Sequence, residues 1–367
     1  MSVNLLDEPA VVGSAVTFLA SVFVLLTRGW HAHFTGDFTH GVQKVHTHPT
    51  PRIGGVPIAI GLVLAWALVS EQVQALLGPM LIAGVPAFLF GLAEDLTKRV
   101  GVLVRLLATM GSGVLAWWLT DISITRVDIW GVDTMLAWLP ASILFTAIAV
   151  GGVANAVNII DGFNGLASSM LVIAAVGFGS IAYQFGDLPL TGICVVLAAC
   201  TLGFFCVNWP FGKIFLGDGG SYLLGFGLAW VAVLLMHRHP TVSAFAVLMV
   251  CVHPVTEVLF SMYRRKMRKT HVGMPDRLHF HSLLGRRVVR HRTAHLPPLL
   301  RNSTTGIAVG MMSIPPVIVA LWVHQSTFWS ATALLGFVLA YLTLYARMVR
   351  FAWRSPLALL TNRRMRD

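Results

Sequence analysis

Charge is scarce in this chain. Of 367 residues only 11% are Asp, Glu, Lys or Arg, and acids are the rarer sign, 15 against 26 basic residues. A soluble domain carries about 25% charged residues, so the shortage excludes both a water-soluble globule and a solvated disordered chain. Cysteine is sparse as well. Cys194, Cys200, Cys206 and Cys251 all lie in apolar stretches and form no CxxC pair, which leaves no disulfide framework or thiolate metal site and reads as small buried hydrophobes. No domain linker, internal repeat or low-complexity run interrupts the sequence, so residues 1–367 read as one integral membrane domain.

Apolar side chains take the place of charge, at 56% of the residues, and the mean hydropathy is +0.77. Apolar runs fall near 10–27, 53–70, 76–93, 101–119, 138–157, 165–184, 188–207, 219–236, 240–260, 303–324 and 327–346. Each is about as long as a helix needs to be to cross about 30 Å of hydrocarbon. The expectation is an all-α polytopic membrane protein of about 11 transmembrane helices with its termini on opposite sides. Sorting the basic residues orients it: 23 of the 26 fall in loops on one side, eleven of them between Arg264 and Arg301, while Arg126 and Arg238 lie opposite and Arg105 sits inside the fourth run. Basic loops stay inside, so the N-terminus is expected outside (periplasmic) and the C-terminus in the cytoplasm. The same clustering accounts for the net charge of +11 without any nucleic-acid partner. Residues 261–302 form the longest inner loop, a basic segment suited to anionic headgroups. The first run follows Asp7 and Glu8 and lacks a positive leader, so it reads as a retained span.

Against this background the polar residues stand out. Asn155, Asn158, Asp161 and Asn164 are spaced by three at the end of the fifth run. On a helix the first three would share one face, and an ionisable residue at a membrane boundary is a functional hypothesis by default. Four further inner segments join them. Lys44 to Gly55 carries Lys44 and Arg52, which could hold phosphate oxygens, together with His46 and His48, whose alternate spacing more often faces solvent. Glu94 and Asp95 close the third run; they are either a metal-assisted base or interfacial charges neutralised by Lys98 and Arg99. Phe215-Leu216-Gly217-Asp218-Gly219-Gly220-Ser221 opens the eighth helix. A glycine turn there would offer backbone N–H groups and the dipole to phosphate, with Asp218 placed to tie a divalent cation to it. Arg277, His279 and His281 in the basic loop could form a cationic diphosphate site. Glu257, four residues from His253, reads as a partner for a neighbouring basic group. Glu94, Asp95, Asp161, Asp218 and Asp276 all fall on the inner face, while the outer acids lack glycine or histidine companions.

Together the segment Pro49 to Gly55, the acidic pair, the block Asn155 to Ala167, the Gly217 to Ser221 turn and the His279-Phe280-His281 block resemble the polyprenyl-phosphate N-acetylhexosamine-1-phosphate transferases, relatives of phospho-N-acetylmuramoyl-pentapeptide transferase. The resemblance implies a multi-pass enzyme of the bacterial inner membrane with its site on the cytoplasmic face. There, undecaprenyl phosphate would attack a UDP-N-acetylhexosamine, most simply UDP-N-acetylglucosamine, to give undecaprenyl-diphospho-sugar and UMP. It implies Mg²⁺, with Mn²⁺ as a substitute, bound by Asp218 and Asp161. It gives Glu94 and Asp95 a role in activating the lipid phosphate or binding the cation, makes Asp161 catalytic, and gives substrate contacts to Lys44, Asn158, His279 and His281, with Asn164 hydrogen-bonding beside them; Arg277 joins the substrate contacts on the reading of the basic loop above. It also allows a homodimer. Glu94 and Asn164 stand where the family often has Asp, and the histidine block ends in Ser282, which points away from the pentapeptide branch and towards simple N-acetylhexosamine donors. A secondary transporter is the competing class. It would place its ion site near the bilayer midplane, whereas these acids gather at one face.

Overall fold

The computed structural model describes residues 8–37, 50–267 and 278–350. Lys44, His46, His48, Asp276 and Arg277 therefore lie outside the described residues. The chain begins with α1 (Glu8–Leu26) and the short α2 (Arg28–Thr35), then a two-residue antiparallel ladder of β1 (Gly36–Asp37) on β2 (Thr50–Pro51). There follow α3 (Gly55–Leu68), α4 (Glu71–Thr97), α5 (Val102–Thr120), α6 (Trp130–Leu136), α7 (Leu139–Ile160), α8 (Leu166–Gln184), α9 (Leu188–Asn208) and α10 (Gly217–Arg238). The chain continues through α11 (Ala244–Val250), α12 (Val252–Met267), α13 (Phe280–Leu284), a π-helical turn at Gly285–Val289, α14 (Arg290–Arg292), α15 (Pro298–Met311), α16 (Ile314–Val323) and α17 (Thr327–Val349).

Among the described residues nine helical segments are long and apolar enough to span a bilayer, counting α15 and α16 as one, and ten if the bent pair α11 and α12 is a single span. Every apolar run in the sequence has a helical counterpart, but two depart from simple crossings. The second run yields only the 14 residues of α3, a rise of about 21 Å, short of the hydrocarbon thickness. The ninth run breaks between Val250 and Val252 with an 86° bend, so α12 leaves the direction of α11. The third run is longer than its apolar core suggested: α4 continues to Thr97, and Glu94 and Asp95 lie in its last turns instead of beyond it.

The helix in the middle is α10. Of its apolar window 89% is buried inside the protein, against 11% for α17, and it packs against α3, α4, α5, α7, α8 and α9. Glycine makes this possible. A Cβ at Gly91 of α4 would lie 2.6 Å from the Asp218 carbonyl oxygen, and one at Gly55 of α3 would collide with the Gly220 backbone. The first turn of α10 is thus clasped by two helices at backbone distance, which no larger residue would permit.

Candidate active site

The ends of α4, α7 and α9 and the starts of α5, α8 and α10 lie on one side of the bundle, and the polar segments meet there. Backbone hydrogen bonds sew the first of them to the glycine turn. Phe215 N–H donates to Pro51 O (2.8 Å), and Gly54 and Gly55 N–H donate to Phe215 and Leu216 carbonyls (3.0 Å each). A second seam runs through Asn208, whose Oδ1 accepts from Gly165 N–H (2.6 Å) while its Nδ2 donates to Ile214 O (2.7 Å). These seams fix where Arg52 and Asp161 stand relative to Asp218.

Asp95 is fully buried, and its two oxygens accept the backbone N–H groups of Asp218 (2.9 Å) and Gly219 (2.8 Å). A carboxylate from α4 thus caps the N-terminus of α10, where orphan N–H groups and the positive dipole end favour an anion. This corrects one reading of the sequence: the N–H groups expected to cradle phosphate are already taken by Asp95. Gly217, at φ +74°, turns the chain so that they can face α4. Glu94 does something different, accepting the Val100 N–H at 2.7 Å and bracing the turn between α4 and α5.

Asp218 is buried, and its carboxylate points into a cluster of donors. Arg52 Nη2 lies 3.2 Å from Oδ1, Asn158 Nδ2 donates to Oδ1 at 3.0 Å, and the Arg105 guanidinium pairs with Oδ2. Arg52 also lies 3.7 Å from Asp95, and the Arg105 guanidinium sits over the Tyr222 ring at 5.8 Å. Asn155 and Asn158 share a face of α7, as their spacing required. Asn155 Oδ1 accepts from the Tyr222 hydroxyl (3.1 Å), and Asn158 also donates to Ser221 Oγ (2.9 Å). Asp161 departs from that stripe. It is the residue after α7, with non-helical backbone, and it is half-buried. Burial pushes its carboxyl up to about 7, with Arg52 pulling the other way.

Two other expected site residues have different surroundings. Asn164 is buried, its Nδ2 donating to Ser303 Oγ (3.1 Å) and its N–H to Asn302 Oδ1 (2.9 Å). It ties the turn to α15 instead of facing the Asp218 cluster. His281 is buried beneath Phe163 (5.5 Å between rings) and lies parallel to His279 (5.3 Å, 12°). Burial lowers its pKa to about 3, so the ring is neutral where the sequence suggested imidazolium. A Cβ on Gly162 would stand 3.3 Å from His281 Nε2, which places the histidine block against the Asp161 turn. His279 Nδ1 is hydrogen-bonded to Glu257 Oε1 at 2.8 Å.

The residue that sequence reasoning missed is Arg105, left inside an apolar run. An arginine one turn into a membrane helix is costly enough to demand a partner, and that signal pointed to a carboxylate on another helix. Asp95 and Asp218 share the Arg52 guanidinium and Asp218 also meets Arg105, while Asp161 feels the Arg52 charge, so hard oxygen donors stand beside phosphate-matching forks. Among the described residues no three His, Cys, Asp or Glu side chains converge as ready-made metal ligands. The donor set suits the other mode of Mg²⁺ binding, in which one or two carboxylates share the ion with substrate phosphates and water.

Membrane-length helices around a buried arginine–carboxylate cluster at one end define the class: a multi-pass membrane protein with a charged site at one end of its bundle. Comparison with known proteins narrows it. A family model described as glycosyl transferase family 4 matches residues 77–236. The decaprenyl-phosphate N-acetylglucosaminephosphotransferase of Mycobacterium leprae is 31% identical over 278 residues, 66% of this chain and 68% of the relative. The undecaprenyl-phosphate alpha-N-acetylglucosaminyl 1-phosphate transferase of Yersinia pestis is 25% identical over 318 residues, 85% and 83%. A probable undecaprenyl-phosphate N-acetylglucosaminyl 1-phosphate transferase of Bacillus subtilis is 25% identical over 260 residues, 69% and 71%. The chain belongs to glycosyl transferase family 4 and is a transferase of substituted phosphate groups.

Proposed function

We propose that the protein transfers N-acetylhexosamine 1-phosphate, N-acetylglucosamine 1-phosphate first among the candidates, from a UDP-sugar to a polyprenyl phosphate, with undecaprenyl phosphate as the acceptor in a bacterial inner membrane. The product would start a lipid-linked cell-surface polysaccharide. An oxygen of the lipid phosphate attacks the β-phosphorus of the donor, the bond from that phosphorus to the bridging oxygen breaks, and UMP leaves with the electron pair. The relatives' names carry the polyprenyl and N-acetylglucosaminyl parts of this reading. The observation that carries the chemistry is the convergence of Arg52 and Arg105 on Asp218.

Phosphoryl transfer asks a protein for alignment and charge neutralisation more than for covalent chemistry. Arg52 and Arg105 would exchange Asp218 for the donor's diphosphate, since guanidinium binds phosphate through the same fork it offers a carboxylate. That exchange would release the Asp218 oxygens. Mg²⁺, or Mn²⁺ in its place, would be held by Asp218 and Asp161 and would neutralise charge on the donor's diphosphate and on the departing UMP. Asp95 would keep the start of α10 in place, Asn158 would orient Asp218, and His279 would offer Nε2 to the donor. The basic loops of the sequence support a cytoplasmic face for this end of the bundle, where a lipid phosphate would reach water while its tail stays in the bilayer.

The test is UMP release by purified protein given undecaprenyl phosphate, Mg²⁺ and a panel of UDP-N-acetylglucosamine, UDP-N-acetylgalactosamine and 6-deoxy amino-sugar donors. Release with one donor or more is the expected result, with Asp218→Asn inactive yet folded. Silence with every UDP-N-acetylhexosamine would remove the proposal.

A further inference from the structure

We infer that Glu257 and Tyr341 act as positioning residues for His279, so that the last membrane helix sets how tightly the site holds a diphosphate-bearing donor; this rests on the transferase reading above. Glu257, on α12 just after the bend, has no exposed surface. Its carboxylate receives three bonds: His279 Nδ1 at 2.8 Å on Oε1, and Phe280 N–H at 2.9 Å and the Tyr341 hydroxyl at 2.6 Å on Oε2. The Phe280 ring stacks on Tyr341 with centroids 5.0 Å apart. One helical turn further along α17, Tyr345 donates to Leu278 O (3.1 Å) and accepts from Arg264 (2.9 Å). Leu278, His279 and Phe280 are thus each gripped by side chains of α12 and α17.

Burying a carboxylate costs far more than burying an apolar side chain unless donors surround it, and apolar replacements of buried ionic groups are often as stable or more so. A charge kept here is better explained by the geometry it imposes. With its proton held on Nδ1 by Glu257, His279 has Nε2 as the nitrogen left for a ligand. Its ring lies parallel to His281, which abuts Gly162 beside Asp161. Glu257 therefore fixes both the tautomer and the direction of the ring, in the way an outer carboxylate orients a ligating histidine. Tyr341 holds the carboxylate that does so.

A double-mutant cycle decides it. Tyr341→Phe keeps the ring stack and removes one hydroxyl. It should raise KM for UDP-N-acetylglucosamine about ten-fold with kcat changed by less than roughly two-fold, in line with the cost of losing an outer-shell partner. In a His279→Gln background the same change should have no further effect, because a residue acting through His279 has nothing left to position. Losses that simply multiply, or a wild-type KM in Tyr341→Phe, would overturn the relay. If Tyr341→Phe fails to accumulate as folded protein, Glu257→Gln in the same cycle is read by the same two criteria. Wild-type protein that releases UMP while the cycle multiplies defeats the relay alone. Wild-type protein that releases none takes the transferase reading down and the relay with it.

Discussion

The two oxygens of Asp95 accept the backbone N–H groups of Asp218 and Gly219 at 2.9 and 2.8 Å, so one acid of the cluster holds the backbone of another. The two aspartates should therefore fail differently. Asp95→Asn sets an amide N–H₂ against a backbone N–H in a buried place, which costs about 1–3 kcal/mol for an unsatisfied group. Thermal unfolding should move down clearly together with activity. Asp218→Asn keeps the α10 cap but removes the charge that Arg105 and Arg52 face, so it should lose UMP release and lower the melting temperature as well. Amide exchange at Gly219 should rise in Asp95→Asn and stay near the wild-type rate in Asp218→Asn; unchanged exchange in Asp95→Asn would refute the capping role.

Arg105 is the cation whose position inside an apolar run needs explaining. Arg105→Met should lower kcat/KM about 10²- to 10³-fold, the loss seen when one preorganised transition-state donor is removed. Arg105→Lys should recover only part of it, since a point charge replaces a fork. Steady-state kinetics on the three proteins would show whether that order holds.

Gly91 tests the helix contact that carries the site. Gly91→Val places side-chain atoms where a Cβ alone already meets the Asp218 carbonyl oxygen at 2.6 Å. Overpacking of this kind costs about 1–3 kcal/mol, and here it would push Asp218 away from Arg52. Lower stability and lost activity are expected together; normal turnover would contradict the close approach of α4 to α10.

Asn164 separates a structural from a substrate-binding role. Asn164→Ala removes the Nδ2 bond to Ser303 Oγ and leaves the backbone N–H bond to Asn302, a loss of about 1 kcal/mol in stability. KM for the donor should stay near the wild-type value. A large rise in KM without loss of stability would return Asn164 to the substrate contacts.

Acid should weaken the fold through His281. Its pKa lies near 3 in the folded protein against an ordinary 6.5, because burial disfavours the charged ring. Between those values the unfolded chain holds a proton that the native state does not. The contribution is complete above about pH 6.5 and declines as pH falls towards 3. His281→Gln should flatten the fall in melting temperature between pH 6.5 and 4.5, measured in one detergent at constant ionic strength.

Much of the fold was legible in the linear chain, because a bilayer forces each crossing to be a long apolar run and makes every charge in it conspicuous. Asp218, Asn158 and Asp161 could be picked out by that contrast alone. Pairing could not. Nothing in the residues near Asp95 says that its carboxylate caps a helix more than a hundred positions later, nor that Asn164 turns to Ser303 while Asn158 turns to Asp218. Such choices depend on which helix ends are brought within 3 Å, and α10, clasped through Gly91 and Gly55, sets that in three dimensions. A helical membrane protein with its scarce polar groups drawn to one side follows from the order of residues. Which of those groups stand in the arginine–carboxylate cluster and which hold the scaffold follows from folding, because the partners of Asp95, Asn158 and Asn164 come from distant segments and depend on directions that spacing along one chain does not encode.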